Sequence, residues 1–103
     1  QRWSGVLIGA QAGAPVRAAA AGEVVFADWL RGVGLLIIID HGRGRLSLYG
    51  HNRALYREAG DRVDGGEVIA AVGSSGGQRR EGLYFEVRID GEPVDPLAWL
   101  ERR

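Results

Sequence analysis

The chain holds 17 glycines in 103 residues. They are spread between short runs of β-branched and apolar residues, so no stretch is left in which a long helix can form. Glycine costs a helix interior about 1 kcal/mol relative to alanine and supplies the positive φ of tight turns. The pattern is therefore that of short strands joined by turns. Residues 23–28 and 35–40 are apolar runs closed by an aspartate, as expected for strands buried on both faces. Residues 45–49 and 83–89 alternate with period two. In the second of these, Leu83, Phe85, Val87 and Ile89 share the face predicted to be core, while Tyr84, Glu86 and Arg88 form a polar, aromatic wall.

Two segments echo each other: Gly13-Ala14-Pro15-Val16 leads to Gly22-Glu23-Val24, and Gly60-Asp61-Arg62-Val63 leads to Gly66-Glu67-Val68. The echo predicts a duplicated β-unit that wraps as a barrel-like sandwich. Residues 52–58 are expected to form a helical turn, and residues 91–100 a turn, an extended piece and a closing helical turn with Trp99 inward. Residues 73–80, rich in Gly and Ser, are the expected mobile segment. No internal linker interrupts residues 1–103, which read as one all-β domain excised from the C-terminal part of a longer protein, with any targeting segment upstream.

Composition narrows the function. A formal net charge of +0 argues against a nucleic-acid binder, which needs a basic stripe. The basic residues are all arginine, so lysine chemistry is excluded and planar, bidentate carboxylate recognition is favoured. Without cysteine there is no disulfide and no thiol nucleophile. No apolar run approaches the ~20 residues of a membrane-spanning helix, so no membrane contact by this domain is expected.

Among the motifs, the glycine-rich residues 73–77 lack the Lys-Ser/Thr ending of a phosphate-binding loop. The two histidines lie apart: His41 follows Asp40 at a strand-to-turn junction, where it is expected to cap the turn, and His51 closes Leu48-Tyr49-Gly50-His51. A metal site built from both with Glu86 or Asp40 remains one enzymatic reading.

Leu83-Tyr84-Phe85-Glu86-Val87-Arg88, preceded by Gly82, resembles the last strand of the LytM-type (lysostaphin-like) zinc peptidases, whose pattern is His-Leu-His-Phe-Glu-x-Arg. Trp3-Ser4-Gly5-Val6-Leu7-Ile8 is similar to their first metal motif, His-x-Gly-x-Asp followed by Ile, and residues 48–51 match their Leu-Tyr-x-His. The resemblance implies a LytM-like duplicated hybrid β-sandwich or barrel with short helical turns. It also implies that the three zinc-ligand positions are lost, since Trp3, Leu7 and Gly82 or Tyr84 stand where His, Asp and His are expected. Within the family, Trp3-x-Gly5, Ala27-Asp28-Trp29-Leu30, residues 73–78 and Leu83-Tyr84-Phe85-Glu86 are similar to the degenerate, inactive branch.

That branch implies a cofactor-free pseudoenzyme that binds and activates periplasmic N-acetylmuramoyl-L-alanine amidases during septal peptidoglycan splitting in a Gram-negative bacterium. It is brought to the division machinery by an upstream coiled coil absent from this sequence. The implied partner-binding groove comprises Trp3, Ser4, Leu7, Val33, Leu36, Tyr49, His51, Tyr84 and Arg88, an inhibitory amidase helix docking its apolar face on Leu7, Val33 and Leu36 and a carboxylate on Arg88. Tyr84 and Arg88 are expected to be dispensable for folding. Peptidoglycan bound in the old substrate groove, and an unusual zinc endopeptidase, are the alternatives.

Overall fold

A computed structural model describes residues 3–97. They form strands β1 (Val6–Gly9), β2 (Pro15–Arg17), β3 (Gly22–Leu30), β4 (Gly34–Asp40), β5 (Arg45–Leu55), β6 (Arg62–Val63), β7 (Val68–Val72), β8 (Gly82–Ile89) and β9 (Glu92–Val94). All pairings are antiparallel, and the main path across the sheet runs β1-β8-β5-β4-β3-β6. The expected helical closure around Trp99 lies outside the described residues.

The long strand β5 organises the sheet. Its first half, Arg45 to Gly50, pairs with β8, and its second half, from Asn52, pairs with β7. His51 sits at the change of partner with a left-handed backbone, φ 61°. Gly50 precedes it because a Cβ there would lie 2.2 Å from the Val33 side chain. The helical turn expected at residues 52–58 is thus strand as far as Leu55. Its backbone finds a ladder in β7, and Asn52 Nδ2 ties the corner by donating to the carbonyls of Leu35 (3.0 Å) and Tyr49 (2.8 Å).

The sequence echo has a structural counterpart. β2 of the first unit pairs with β7 of the second, and β6 of the second pairs with β3 of the first. Val16 and Val63, the valines of the two Gly-x-x-Val pieces, are both buried in the main core.

Alternation along β4, β5 and β8 divides the interior between two faces of the sheet. Ile37, Ile39, Tyr49, Phe85 and Val87 join Val16, Val24, Val63, Ile69 and Val72 in the main core. Leu36, Leu48 and Tyr84 join Val33 in a second cluster. The expectation that residues 23–28 are buried on both faces fails for β3, where Glu23, Val25, Asp28 and Trp29 are exposed. β6 covers only Gly22 and Glu23, so among the described residues the rest of β3 has no neighbouring strand on that side.

The turn after β4 is capped by Asp40, whose Oδ1 accepts from the Gly42 N–H at 2.8 Å, and not by the His41 ring as expected. The His41 Nδ1 donates to the Ala21 carbonyl (2.8 Å), and in the neutral ring Nε2 accepts from Ser47 Oγ (2.7 Å). Ser47 Oγ lies 2.7 Å from the Tyr49 hydroxyl, which accepts from the Ala19 N–H at 2.9 Å. This chain of polar groups runs through the core and satisfies groups whose desolvation is otherwise costly.

Candidate functional site

The outward wall predicted for β8 is largely buried. Glu86 is 0% exposed and Tyr84 8%. The Tyr84 hydroxyl donates to Glu86 Oε1, Arg88 Nε forms an ion pair with Oε2, and the Ser4 N–H approaches Oε1 at 3.4 Å. The Tyr84 hydroxyl in turn accepts from the Gly5 N–H at 2.7 Å. A buried carboxylate is tolerable when its charge is paired and its lone pairs are filled. Here the donors come from β8 itself and from the segment leading into β1, so the network fastens the two ends of the domain together. Burial, then the hydrogen bond to Glu86, pushes the Tyr84 phenol far above its ordinary range. Tyr84 is a neutral donor.

Gly5 permits this approach, since a Cβ would fall 2.3 Å from the Phe85 carbonyl oxygen. Trp3 then reaches Tyr84 edge-on, ring centroids 6.1 Å apart, with the Arg88 guanidinium 6.0 Å from the Trp3 ring. His51 meets Tyr84 edge-on at 6.1 Å. The His51 Nδ1 donates to the Ser75 carbonyl (2.7 Å), which fixes the ring. Ser75 Oγ also donates to the Asn52 carbonyl (2.6 Å) and accepts from the Leu35 N–H (3.0 Å). The segment expected to be mobile is therefore pinned at Ser75, and its exposed residues are Ser74, Gly77, Arg79 and Arg80.

Trp3, Ser4, His51, Tyr84 and Arg88 thus come together, and Leu7 pairs with Tyr84 in the β1–β8 register. Leu7 is 49% exposed. Three other expected groove residues have almost no surface to offer a partner. Val33 and Leu36 lie beneath Tyr84 in the second cluster, and Tyr49 is on the opposite face in the main core. The expectation that Tyr84 and Arg88 are dispensable for folding is corrected as well, because Tyr84 is a buried member of the second cluster and Arg88 neutralises a fully buried carboxylate.

Sequence reasoning missed Phe26, Leu30, Ile38 and Leu46, half-buried residues packed around the second cluster. Cross-strand register puts Phe26, Ile38, Leu48 and Glu86 in one row and Leu46 beside Arg88, giving an apolar floor next to the network. The signal was present in the alternation Leu36, Ile38 and Leu46, Leu48, but both faces of residues 35–40 were read as interior. Arg79 and Arg80 were also missed. With Leu7, Gly77 and Gln78 they line a cleft of about 310 Å³.

The metal expected of a LytM-type fold does not fit this donor set. The positions that the sequence resemblance pairs with zinc ligands hold an indole, an isobutyl group, a bare glycine and a neutral phenol whose proton is committed to Glu86, and among the described residues no three His, Cys, Asp or Glu side chains gather to hold an ion. Glu86 is itself engaged on both oxygens. A catalytic zinc needs about three converging N, O or S ligands.

Residues 1–96 match the profile of Peptidase family M23. The murein hydrolase activator EnvC of Escherichia coli K12 is 50% identical over 101 residues, covering 98% of this chain and 24% of that protein. The lipoprotein NlpD/LppB homolog of Pseudomonas aeruginosa is 49% identical over 100 residues, covering 96% of this chain and 33% of that protein. This chain therefore spans a quarter to a third of the length of these curated relatives. Among solved structures, a putative peptidase M23 from Pseudomonas aeruginosa superposes with a TM-score of 0.91 at 28% identity, covering 95% of this chain and 43% of that one. The fold, the profile match and two relatives near half identity agree: this chain belongs to peptidase family M23, the LytM-type domains.

Proposed function

We propose that this domain is a catalytically inert M23 domain that binds and switches on a periplasmic N-acetylmuramoyl-L-alanine amidase during septal peptidoglycan splitting. The observation that carries this reading is the Tyr84–Glu86–Arg88 network with Ser4 and Gly5, built from the two segments whose sequences resemble the metal motifs of the LytM-type peptidases. Similarity to a relative named as a murein hydrolase activator supports the same reading. The network does not activate water. It holds Trp3 and Arg88 at the border of an apolar floor made by Phe26, Leu30, Ile38 and Leu46.

Such a surface suits the apolar face of an amphipathic helix. An acidic residue on that helix finds a positive rim across the Leu7 cleft in Arg79 and Arg80. If the helix is one that blocks an amidase active site, binding it more tightly than the closed amidase does shifts the enzyme to its open state. Only that difference in affinity can activate.

The test mixes the purified domain with a periplasmic amidase and dye-labelled peptidoglycan, and measures bound zinc in parallel. The expected result is faster dye release with amidase present, none without it, and no stoichiometric zinc in the domain. Tight peptidoglycan binding with unchanged amidase rates would favour a substrate-binding role. One zinc per chain, with hydrolysis lost in His51→Ala, would overturn the inert reading.

A further inference from the structure

Among the described residues, β1 is an unguarded edge. Val6, Leu7, Ile8 and Gly9 are all exposed, the first three at 37%, 49% and 44%. One side of the strand pairs with β8. Among the described residues, no hydrogen bond closes the other side. Folded proteins usually blunt such an edge with charge, proline or a bulge. β9, which shares β8's outer flank, carries Glu92 and Pro93, and β6 at the far end is two residues long with Arg62. β1 carries only Val-Leu-Ile-Gly.

Each face of this edge has a pocket. On the Leu7 face the cleft of about 310 Å³ is lined by Arg79 and Arg80. On the other face Ile8 borders an apolar pocket of about 190 Å³ with Leu83, Phe85 and Ala19, and Arg17 on its wall. An extended segment added to a sheet edge gains affinity from main-chain hydrogen bonds and specificity from pockets that take its alternate side chains.

We propose that β1 docks an extended segment of a partner protein as an added strand, with apolar side chains toward Ile8 and acidic side chains toward Arg79 and Arg80. Glu81 follows these arginines in sequence and leaves a local excess of positive charge. A second copy of this chain is the poorer guest. Two-fold edge-to-edge pairing through β1 gathers two sets of Arg79 and Arg80 at one junction, where like charges repel. The proposal is separate from the amidase reading: it concerns the sheet edge and not the apolar floor.

The experiment titrates the domain with a blocked Val-Glu-Val-Glu-Val peptide and follows backbone amides by NMR. The expected result is perturbation and slowed exchange confined to Val6–Gly9 and the 79–80 segment. Ile8→Lys, and Arg79→Glu combined with Arg80→Glu, should each weaken binding by about tenfold, the scale of losing an anchor contact, with melting unchanged because these side chains are exposed. A Val-Lys-Val-Lys-Val peptide should not bind. The proposal is overturned if neither peptide perturbs β1 at about 1 mM, the weak end of the affinity scale, or if both bind equally. It is likewise overturned if the shifts centre on Leu46 and Tyr84, or if the domain is already a dimer with protected β1 amides before peptide is added.

Discussion

Glu86 is a fully buried carboxylate held by Tyr84, Arg88 and Ser4, and its neighbours' chemistry depends on it. Glu86→Ala leaves a guanidinium and a phenol facing a cavity, and is expected to cost about 3 kcal/mol in urea unfolding, the range for breaking a buried pair from one side. Arg88→Ala should destabilise for the same reason, so any loss of amidase activation in that variant must be read beside its melt. Tyr84 adds a pH dependence. Its folded-state pKa is raised, so its contribution to stability is complete below the ordinary tyrosine pKa of about 10. It fades as pH rises from there toward the folded value. With no lysine in the chain, that window holds no lysine titration. The difference in Tm between the parent and Tyr84→Phe should therefore narrow above pH ~10; a constant difference would mean that the phenol is not coupled to folding.

The segment from Trp3 to Gly9 owes its position chiefly to β8, with Trp3 also packed on the second cluster. Its hold depends on Gly5, because the Phe85 carbonyl and the Glu86 Cβ occupy the space that a side chain would take. Gly5→Ala should lift this segment, and hydrogen exchange should show lost protection in β1 while β4 and β5 keep theirs. At this scale much was legible in the residues. The alternation of 83–89 divided Phe85 and Val87 from Tyr84, and the Gly-x-x-Val echo foreshadowed the exchange of partners between β2–β7 and β3–β6. Burial of the Tyr84 face was not legible, since the floor that covers it comes from register among β3, β4 and β5 and not from any local spacing. The helix expected at 52–58 failed for a related reason. Asn52 and Leu55 lie where β7 supplies a ladder from distant sequence, and local propensity says nothing of that.

Across the whole molecule the two hydrophobic clusters share β4, β5 and β8, one on each face. Neither can come apart while those strands hold. Thermal unfolding should be a single transition by near- and far-ultraviolet circular dichroism. Leu36→Ala, from the smaller cluster, and Ile39→Ala, from the main core, should both lower that one transition, each costing about 2 to 5 kcal/mol as fully buried aliphatic truncations do. Two separated transitions would show that the face bearing the candidate site opens independently of the core. An effect confined to Ile39→Ala would show that Leu36 contributes little to stability.

The polar chain from His41 through Ser47 and Tyr49 to Ala19 makes the protein its own spectroscopic clock. Hydroxyl protons normally swap with water too fast to be seen, but those of Ser47 and Tyr49 sit in side chains 0% and 1% exposed. Shielded in this way, they can persist as discrete proton resonances. Their disappearance with temperature or denaturant then times the moments at which water enters the main core, without any label attached to the chain.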